Sequence, residues 1–545
     1  MERWIATLDG VKDGLIYCTI LHEARGTPLT GQYVALPVEL NLIVGRMGPI
    51  NLSNPIHDDP AFKPYLMVHG RVEQWSREVD IEQSTIQIIG TVDAKNVKIP
   101  QQAWPSTGTL IALADSDHLT RLYNEKDERY RLALGHIPNT PEILATIINR
   151  NFGRVEDGGY GEARLYAVYG QTGSGKTVFA LMLIAGKLCA HPQMGLLMPD
   201  TAGDLSDATR HDRGDFHWNY LEVCQAAGIK VEVLNVQDIC MTDRATLADL
   251  LVFPFHRHIG NMRDDIAYRL GELVSEEIFG EKDVTIAELT SERVLDAVGV
   301  HIGSCYAGGG NTQKAKLQEV AQLQTQPARR RAFERDFERV RQFFDGRERM
   351  GDLVQSILEH GRKVVIRMDS RYLREKEQVY VMRELMEHLT QHAQRRYTQG
   401  QQNNALVVLD EGTRWVPEAR VDDTNETRSV VNRAYRETRK YGVGWMVIAQ
   451  RIAEVAKTVL TQSQMVWFGR GLGSGTDRRH LEEVLLKEGL ETYDRLELQG
   501  GFFWVGKGQE NNLGTEGNFT TVHPFGGDAT AALIAANPAI FRRRH

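Results

Sequence analysis

The stretch GQTGSGKT, from Gly170 to Thr177, decides the fold of this 545-residue chain. It matches the pattern GxxxxGK[ST] at every position, and its members are Gly170, Gln171, Thr172, Gly173, Ser174, Gly175, Lys176 and Thr177. Glycines permit positive φ, so successive backbone N–H groups can close around phosphate groups. Lys176 is placed to reach the β- and γ-phosphates, and the Thr177 hydroxyl is placed for Mg²⁺. The stretch therefore predicts a loop that holds the phosphates of a nucleotide.

The residues on either side support this interpretation over an ordinary glycine loop. Residues 164–170, RLYAVYG, predict a buried strand, and TVFALMLIAGKLCA, which begins at Thr177, predicts a helix. The N-terminus of such a helix attracts anions, since its first backbone N–H groups have no partner within the helix. Strand, loop and helix occur in the order that a phosphate loop requires.

The bulk properties of the chain set limits on its class. Hydrophobic residues make up 42% and charged residues 25%, which is typical of folded proteins, and the length predicts two or more domains. The net charge of -8 means that any contact with nucleic acid must come from a local basic surface. Five cysteines without a CxxC pair predict neither a disulfide framework nor a zinc site. We see no signal peptide and no run of about 18 apolar residues, so we expect a cytoplasmic protein without a membrane partner.

The pattern along the chain predicts an α/β protein in five parts. Short β-rich runs separated by turns indicate a small barrel or sandwich at the front, and later apolar strands alternating with helices indicate a mainly parallel sheet. Helical periodicity dominates the middle, where we expect an inserted helical subdomain. The predicted parts are a barrel (1–120), a first core segment (121–241), the helical insertion (242–360), a second core segment (361–520) and a tail (521–545). The tail is either disordered or a latch onto a neighbouring subunit.

Asp410 and Glu411 are the candidates for metal binding and water activation. The apolar run 405–409 predicts a strand, so Asp410 emerges at its carboxyl end, where ligands of such sheets bind and where it can hold the Mg²⁺ shell. Glu411 then becomes the candidate general base. The alternative, a strand that merely ends in an acidic turn, loses weight because Lys176 is present.

Gln450 ends another predicted strand, VGWMVIAQ, which we expect beside the Asp410 strand. There its amide could contact the γ-phosphate or the attacking water. Taken alone, a glutamine after a strand is usually polar surface. Its candidacy depends on the two strands being neighbours.

Arg436 and Arg439 lie on a helix that the sequence ends at Gly442. One interpretation is electrostatic, because cations near the C-terminus of a helix complement its dipole. The other is an arginine finger that enters the nucleotide site of the next subunit and accelerates hydrolysis. The basic run at Arg329, Arg330 and Arg331 also has two interpretations, a solvated helix with pairs of opposite charge or a contact with nucleic-acid phosphates.

Several motifs together resemble the HerA-type ATPases of the HerA/FtsK superfamily of DNA-pumping motors. They are, in order, VYGQTGSGKT, LLMPDTAGDLSD, LVVLDEGTRWVP, RKYGVGWMVIAQR, KTVLTQSQMVWFG and LELQGGFFWVG, with IPQQAWPSTGTLIALADSDHLTRLY upstream. The resemblance implies a hexameric ring with a RecA-like P-loop core, ATP sites between subunits and duplex DNA in a central pore.

The resemblance also implies roles for individual residues. It assigns Lys176 and Thr177 to ATP and Mg²⁺, Asp410 and Glu411 to metal and water, and Gln450 to sensing. The finger position selects Arg439, with Arg436 as the nearest substitute, and Arg164 matches a further arginine near the phosphates. One departure is the run Asp410-Glu411-Gly412-Thr413, where relatives commonly have DEAH-like residues. Another is an aspartate, Asp204, where a glutamate is more usual.

Two functions fit these features. The first is an ATP-driven motor that translocates on or unwinds double-stranded DNA and works with a partner nuclease of the NurA type. The second is a ring that serves as an ATP-regulated platform and activator for an antiphage effector, either a nuclease or a sirtuin-type NADase, docked on the barrel. Stimulation of ATP turnover by duplex DNA discriminates between them.

Overall fold

A computed structural model describes residues 4–69, 79–101, 104–207, 211–260, 262–306, 310–418, 425–513 and 519–541. Its strands are β1 (Trp4–Lys12), β2 (Leu15–Ile20), β3 (Tyr33–Val38), β4 (Asn41–Met47), β5 (Asn51–Ser53), β6 (Ile81–Val92), β7 (Lys98–Ile99), β8 (Leu110–Leu113), β9 (Arg131–Ile137), β10 (Thr140–Ile148), β11 (Leu165–Tyr169), β12 (Gly195–Asp200), β13 (Glu232–Asn235), β14 (Ile239–Cys240), β15 (Glu348–Arg349), β16 (Lys363–Arg367), β17 (Ala405–Leu409), β18 (Val443–Ala449), β19 (Met465–Phe468), β20 (Trp504–Gly508) and β21 (Phe519–Pro524).

The α-helices of the described part span Pro55–Asp58, Lys63–His69, Ser116–Leu122, Lys176–Ala190, Tyr220–Ala226, Arg244–His258, Asp264–Phe279, Ser291–Cys305, Gly310–Thr325, Pro327–Arg341, Met350–His360, Glu375–Thr398, Gly412–Trp415, Asn425–Glu437, Lys457–Gln462, Gly475–Gln499, Ala529–Ala536 and Pro538–Phe541. None of them has the length and the apolar character that crossing a bilayer would require.

The first part of the chain is a closed antiparallel barrel. Its strands follow the order β2-β1-β8-β3-β4-β6, and β6 pairs back with β2 to complete the ring. Each barrel strand contributes a fully buried apolar side chain to one interior cluster, namely Ile5, Ile16, Val34, Ile43, Ile86 and Ile111. The barrel predicted at the front of the chain is confirmed, because one apolar face of every strand needs a shared interior.

The main sheet has the order β10-β9-β21-β20-β19-β11-β18-β17-β12-β16-β13 among the described strands. The strands from β19 to β13 run parallel, whereas β20, β21, β9 and β10 extend the sheet with antiparallel pairings. The phosphate-loop strand β11 lies between β19 and β18, and β18 pairs with β17. The prediction that the strand before Gln450 lies beside the strand before Asp410 is therefore confirmed.

The central strands are buried on both faces, which explains their continuous apolar sequences. In β17, Val407 and Leu409 pack into the hydrophobic cluster on one face of the sheet, while Leu406 and Val408 pack into the cluster on the other. The helix Lys176–Ala190 covers the second face, and most of its residues are buried there. The two hydrophobic clusters, one on each face of the sheet, hold the carboxyl ends of the strands in a fixed arrangement.

The described residues between Arg244 and Arg341 form a layer of helices, as the periodicity indicates. Their apolar side chains, including Leu251, Leu270, Val298 and Phe337, belong to the same hydrophobic cluster as one face of the main sheet. They are thus packed against the sheet. A separate inserted subdomain stays a prediction.

The described part of the predicted tail packs on its own chain. The boundary predicted at residue 520 falls inside β21, which lies between β20 and β9 in the main sheet. Further along, the Asn537 side chain accepts a hydrogen bond from the N–H of Ala133 and donates one to its carbonyl, at 2.7 and 3.0 Å. Residues 542–545 lie outside the described part, and a latch onto a neighbour stays a prediction.

Candidate nucleotide site

The phosphate loop has the geometry that its glycines allow. It begins after Tyr169, and Gly173 and Gly175 have φ values of 84° and 79°, a region that side chains other than glycine rarely adopt. The helix that follows starts at Lys176 without a side-chain cap. The backbone N–H groups of its first turn are therefore available to an anion at the positive end of the helix dipole.

Three hydrogen bonds fix the loop to its neighbours. Gly170 donates its N–H to the carbonyl of Ala449 at 3.2 Å, and Gln171 donates to the carbonyl of Arg470 at 3.1 Å. The Thr172 hydroxyl donates to Oε1 of Gln450 at 3.1 Å. The loop is thus held by the ends of β18 and β19, the two strands that flank β11.

A cavity of about 210 Å³ opens at the carboxyl ends of β11, β17 and β18. It is lined by Lys176, Thr177, Asp204, Asp410, Glu411, Thr413, Arg414, Ile448, Ala449 and Gln450. Five predicted site residues, Lys176, Thr177, Asp410, Glu411 and Gln450, therefore meet in one place. Parallel strands bring them together, because their carboxyl ends lie along one edge of the sheet.

Asp410 is 4% exposed, and its environment changes its acidity. Burial raises the pKa of its carboxyl group from 3.8 to about 7, since removal from water disfavours the charged form. The N–H of Glu411, which donates to Oδ1 at 2.9 Å, and the charge of Lys176 act in the opposite direction. The carboxylates of Asp204 and Glu411 add to the increase.

Glu411 has a left-handed backbone, with φ 54° and ψ 49°, at the start of the helix Gly412–Trp415. Such a conformation costs energy for a residue with a side chain and is often found at functional sites. The Glu411 side chain is exposed and has no hydrogen bond or ion pair with the described residues. Gly412 is packed so closely that an added methyl group would collide with Cγ1 of Val447. This close contact gives a steric reason for the glycine at position 412, where the sequence departs from the DEAH-like pattern.

The cavity also contains Asp204, Thr413 and Arg414, which were not predicted as site residues. Asp204 lies on a loop shaped by buried Asp200, whose two carboxylate oxygens accept the N–H groups of Gly203 and Ser206, both at 2.8 Å. The resemblance pointed to Asp204 without giving it a role. For Thr413 and Arg414 the only sequence signal was their closeness to Glu411.

Arg436 and Arg439 are not in this cavity. They line a larger one of about 990 Å³ with Lys440, Gly161 and Glu162, at the amino ends of the strands. The rise of about 3.3 Å per residue along β18 places this edge roughly 20 Å from the phosphate loop. Within the described part of the chain, neither Arg436 nor Arg439 forms an ion pair. Because they line the cavity at the opposite edge of the sheet, neither guanidinium group lies beside the phosphate loop of its own chain.

Arg164 precedes β11, so it lies at the strand end opposite the phosphate loop. Its guanidinium stacks over the Tyr160 ring at 4.2 Å from the centroid, and Nη2 lies 3.5 Å from the Glu162 carboxylate. Its side chain is only 11% exposed. β11 separates Arg164 from the phosphate loop of its own chain, and the implied role of Arg164 near the phosphates stays a prediction.

The basic run at Arg329 to Arg331 lies on the helix Pro327–Arg341. Arg330 pairs with Glu334 across one turn at 3.0 Å, and Arg329 donates to Oε1 of Gln322 at 2.6 Å. These contacts fit the interpretation as a solvated helix with pairs four residues apart.

Comparison with known proteins gives one family match. A family model described as zonular occludens toxin (Zot) matches residues 349–471. This range contains Asp410, Glu411, Arg436, Arg439 and Gln450, and it excludes the phosphate loop. A comparison with curated proteins gives no match.

Among solved structures, those to which the chain is similar include VirB4, B204 and TcpA. VirB4 of Thermoanaerobacter pseudethanolicus is 13% identical, with 73% of this chain and 97% of that chain covered and a TM-score of 0.40. The genome packaging NTPase B204 from Sulfolobus turreted icosahedral virus 2, in complex with AMPPCP, is 10% identical, with 66% and 98% covered and a TM-score of 0.29. The pCW3 conjugation coupling protein TcpA, with ATPγS, is 14% identical, with 92% of both chains covered and a TM-score of 0.28.

Proposed function

We propose that this protein is an ATPase whose sites lie between the subunits of a ring, and that the ring moves along double-stranded DNA. The observation that carries the ATPase part is the 210 Å³ cavity, where Lys176, Thr177, Asp410, Glu411 and Gln450 converge beside an uncapped helix N-terminus. A phosphate loop alone binds a nucleotide. The acidic pair in the same cavity adds the groups that hydrolysis needs.

The residues fit Mg²⁺ bound together with ATP. The Thr177 hydroxyl and the Asp410 carboxylate are oxygen donors, which Mg²⁺ prefers. No three His, Cys, Asp or Glu side chains of the described residues form a metal cage, so the phosphates would complete the coordination. When bound, Mg²⁺ would neutralise negative charge on the phosphates.

The remaining roles belong to side chains of the cavity. Lys176 binds the β- and γ-phosphates, and the N–H groups after Gly175 bind phosphate oxygens. Glu411, with its exposed carboxylate, orients the attacking water and accepts its proton. Gln450 joins the phosphate loop to β18 through Thr172, so it is placed to respond to the γ-phosphate.

Arg439, with Arg436 as the substitute, acts on the nucleotide of a neighbouring subunit. Two points support this. Both arginines line a cavity at the edge of the sheet opposite the phosphate loop of the same chain, and neither forms an ion pair within the described residues. An arginine finger supplied by a neighbour stabilises the charge of the transition state. The site is then complete only when two subunits meet.

The motif resemblance to HerA-type proteins supports a hexamer with duplex DNA in its pore and a NurA-like nuclease or another effector as partner. The decisive experiment measures ATP turnover of Glu411→Gln and Arg439→Ala with and without duplex DNA. We expect Glu411→Gln to bind ATP and stall, and Arg439→Ala to assemble but to hydrolyse about 10³-fold more slowly. Arg331→Ala, which changes an exposed arginine on the helix Pro327–Arg341, is the matched control and should be unaffected.

The outcomes separate the parts of the proposal. Turnover that Glu411→Gln leaves unchanged would contradict the assignment of the cavity. Normal turnover in Arg439→Ala would move the finger to Arg436 or Arg164. Turnover that duplex DNA does not change, together with activation of an effector by the ring, would replace the motor with the platform function.

A further inference from the structure

Three consecutive aromatic residues, Phe502, Phe503 and Trp504, follow the helix Gly475–Gln499. Two of them are anchored inside the protein. The Phe503 ring packs edge-on against Tyr493, with centroids 5.5 Å apart, and Trp504 stacks on Phe179 of the phosphate-loop helix at 4.5 Å and 7°. Phe502, in contrast, is 62% exposed. The anchored neighbours hold an aromatic ring at the surface.

Phe502 lies beside the phosphate loop. A methyl group added to Gly175 would lie 3.4 Å from Cδ1 and 3.7 Å from Cε1 of the Phe502 ring. Gly175 directly precedes Lys176, so the ring is adjacent to the residues that hold the phosphates. Phe502 comes this close to Gly175 because the chain turns back after the helix at Gly500 and Gly501, which have φ values of 77° and 83°.

We propose that Phe502 is the platform on which the purine base of the bound nucleotide stacks. This inference rests on the proposed nucleotide binding, and it adds a subsite for the base. The phosphate loop binds only the phosphates, so the base must extend beyond it into the surroundings of the loop. An exposed aromatic ring fixed at that place offers a π-face, which a base covers by stacking.

The energetic reason is the removal of two apolar faces from water at once. Exposure of a phenylalanine ring is unfavourable, and base stacking buries the ring and the base together. Every purine has a π-face, so stacking does not discriminate between adenine and guanine. We therefore expect the platform to increase affinity for ADP and GDP alike.

The test is equilibrium binding of ADP and of inorganic tripolyphosphate, each with Mg²⁺, to the full chain. Phe502→Ala should weaken ADP binding about tenfold and leave tripolyphosphate binding unchanged, because only ADP has a base. Phe502→Trp should retain ADP affinity, and its added fluorescence should be quenched by ADP but not by tripolyphosphate. Phe253→Ala is the matched control, since this phenylalanine is 43% exposed and lies in the helical layer.

Four results would overturn the inference. Unchanged ADP affinity in Phe502→Ala would show that the ring does not contact the base. An equal loss of ADP and tripolyphosphate binding would show that the ring supports the phosphate loop and not the base. Weakened subunit assembly with normal ADP affinity would assign Phe502 to the contact between subunits. If the wild-type chain bound neither ligand, the proposed nucleotide site itself would fail, together with this inference.

Discussion

Asp410 and Glu411 are adjacent in sequence but have different environments. Asp410 is buried, with a pKa raised to about 7, whereas Glu411 is exposed on a left-handed backbone. A buried carboxylate beside Lys176 is suited to hold a cation, and an exposed one is suited to exchange protons with water. The different roles proposed for the two acids follow from this difference in burial.

Asp410→Asn should make the nucleotide-free protein more stable while it abolishes turnover. An acid with a raised folded-state pKa loses folding stability as the pH rises from its unfolded value of 3.8 to about 7. The amide removes this loss, which amounts to at most about 4 kcal/mol for three pKa units. We expect a higher Tm for the variant at pH 8 and little difference at pH 4.

Thermal unfolding at the two pH values, measured without nucleotide or Mg²⁺, checks this prediction. Glu411→Gln is the control, because an exposed carboxylate should change the Tm little at either pH. A variant less stable than the wild type at pH 8 would contradict the prediction. It would mean that contacts of the Asp410 carboxylate outweigh the cost of its burial.

At the scale of elements, the order of strands assembles the site. β11, β18 and β17 are neighbours, although long stretches of chain separate them, and their carboxyl ends bring the phosphate loop, Gln450 and Asp410 together. The helix Gly412–Trp415 lies against the end of β18, with Gly412 packed on Val447. This packing fixes the position of Glu411.

Gly412→Ala should reduce turnover strongly and cost about 1–3 kcal/mol of stability, because its methyl group would collide with Val447 and displace the short helix. Chemical denaturation and ATP turnover measure the two effects. Gly526→Ala is the matched control, since nothing lies within 4 Å of a methyl group at that position. Full turnover in Gly412→Ala would show that Glu411 does not depend on this packing.

At the scale of the whole molecule, the proposed site draws on both edges of the sheet. The phosphate loop and the acidic pair lie at the carboxyl edge, and Arg436 and Arg439 lie at the amino edge. A single subunit cannot join them. A head-to-tail ring can, because each subunit then presents different surfaces to its two neighbours.

Mixing two inactive variants tests this division. Lys176→Ala chains lack a working phosphate loop but keep the finger, and Arg439→Ala chains have the reverse defect. Random co-assembly would restore about one quarter of the interfaces, so we expect the mixture to hydrolyse ATP faster than either variant alone. Each variant mixed with itself is the control. A mixture no faster than its components would contradict a finger supplied by a neighbour.

How far the sequence predicts the site depends on the residue. Lys176 and Thr177 were predictable, because a phosphate loop is a local structure set by its own glycines. Asp410 and Gln450 could be proposed from their places at strand ends. That they lie in the same cavity could be established only from the order of the strands in the sheet. Arg414 lines the cavity although no sequence signal pointed to it. The place of Arg164 before β11 does not identify the subunit whose nucleotide it would contact, so its role stays a prediction.

The sequence by itself determined the phosphate loop and the apolar strands, because these depend on spacing and backbone preferences within short segments. Only the tertiary structure decided which strand ends are adjacent, that the front strands close into a barrel, and that β21 lies inside the main sheet. It also placed Arg436 and Arg439 at the edge of the sheet opposite their own phosphate loop. Contacts between residues distant in sequence arise from the burial of apolar faces. That burial involves the whole chain, so no local pattern specifies it.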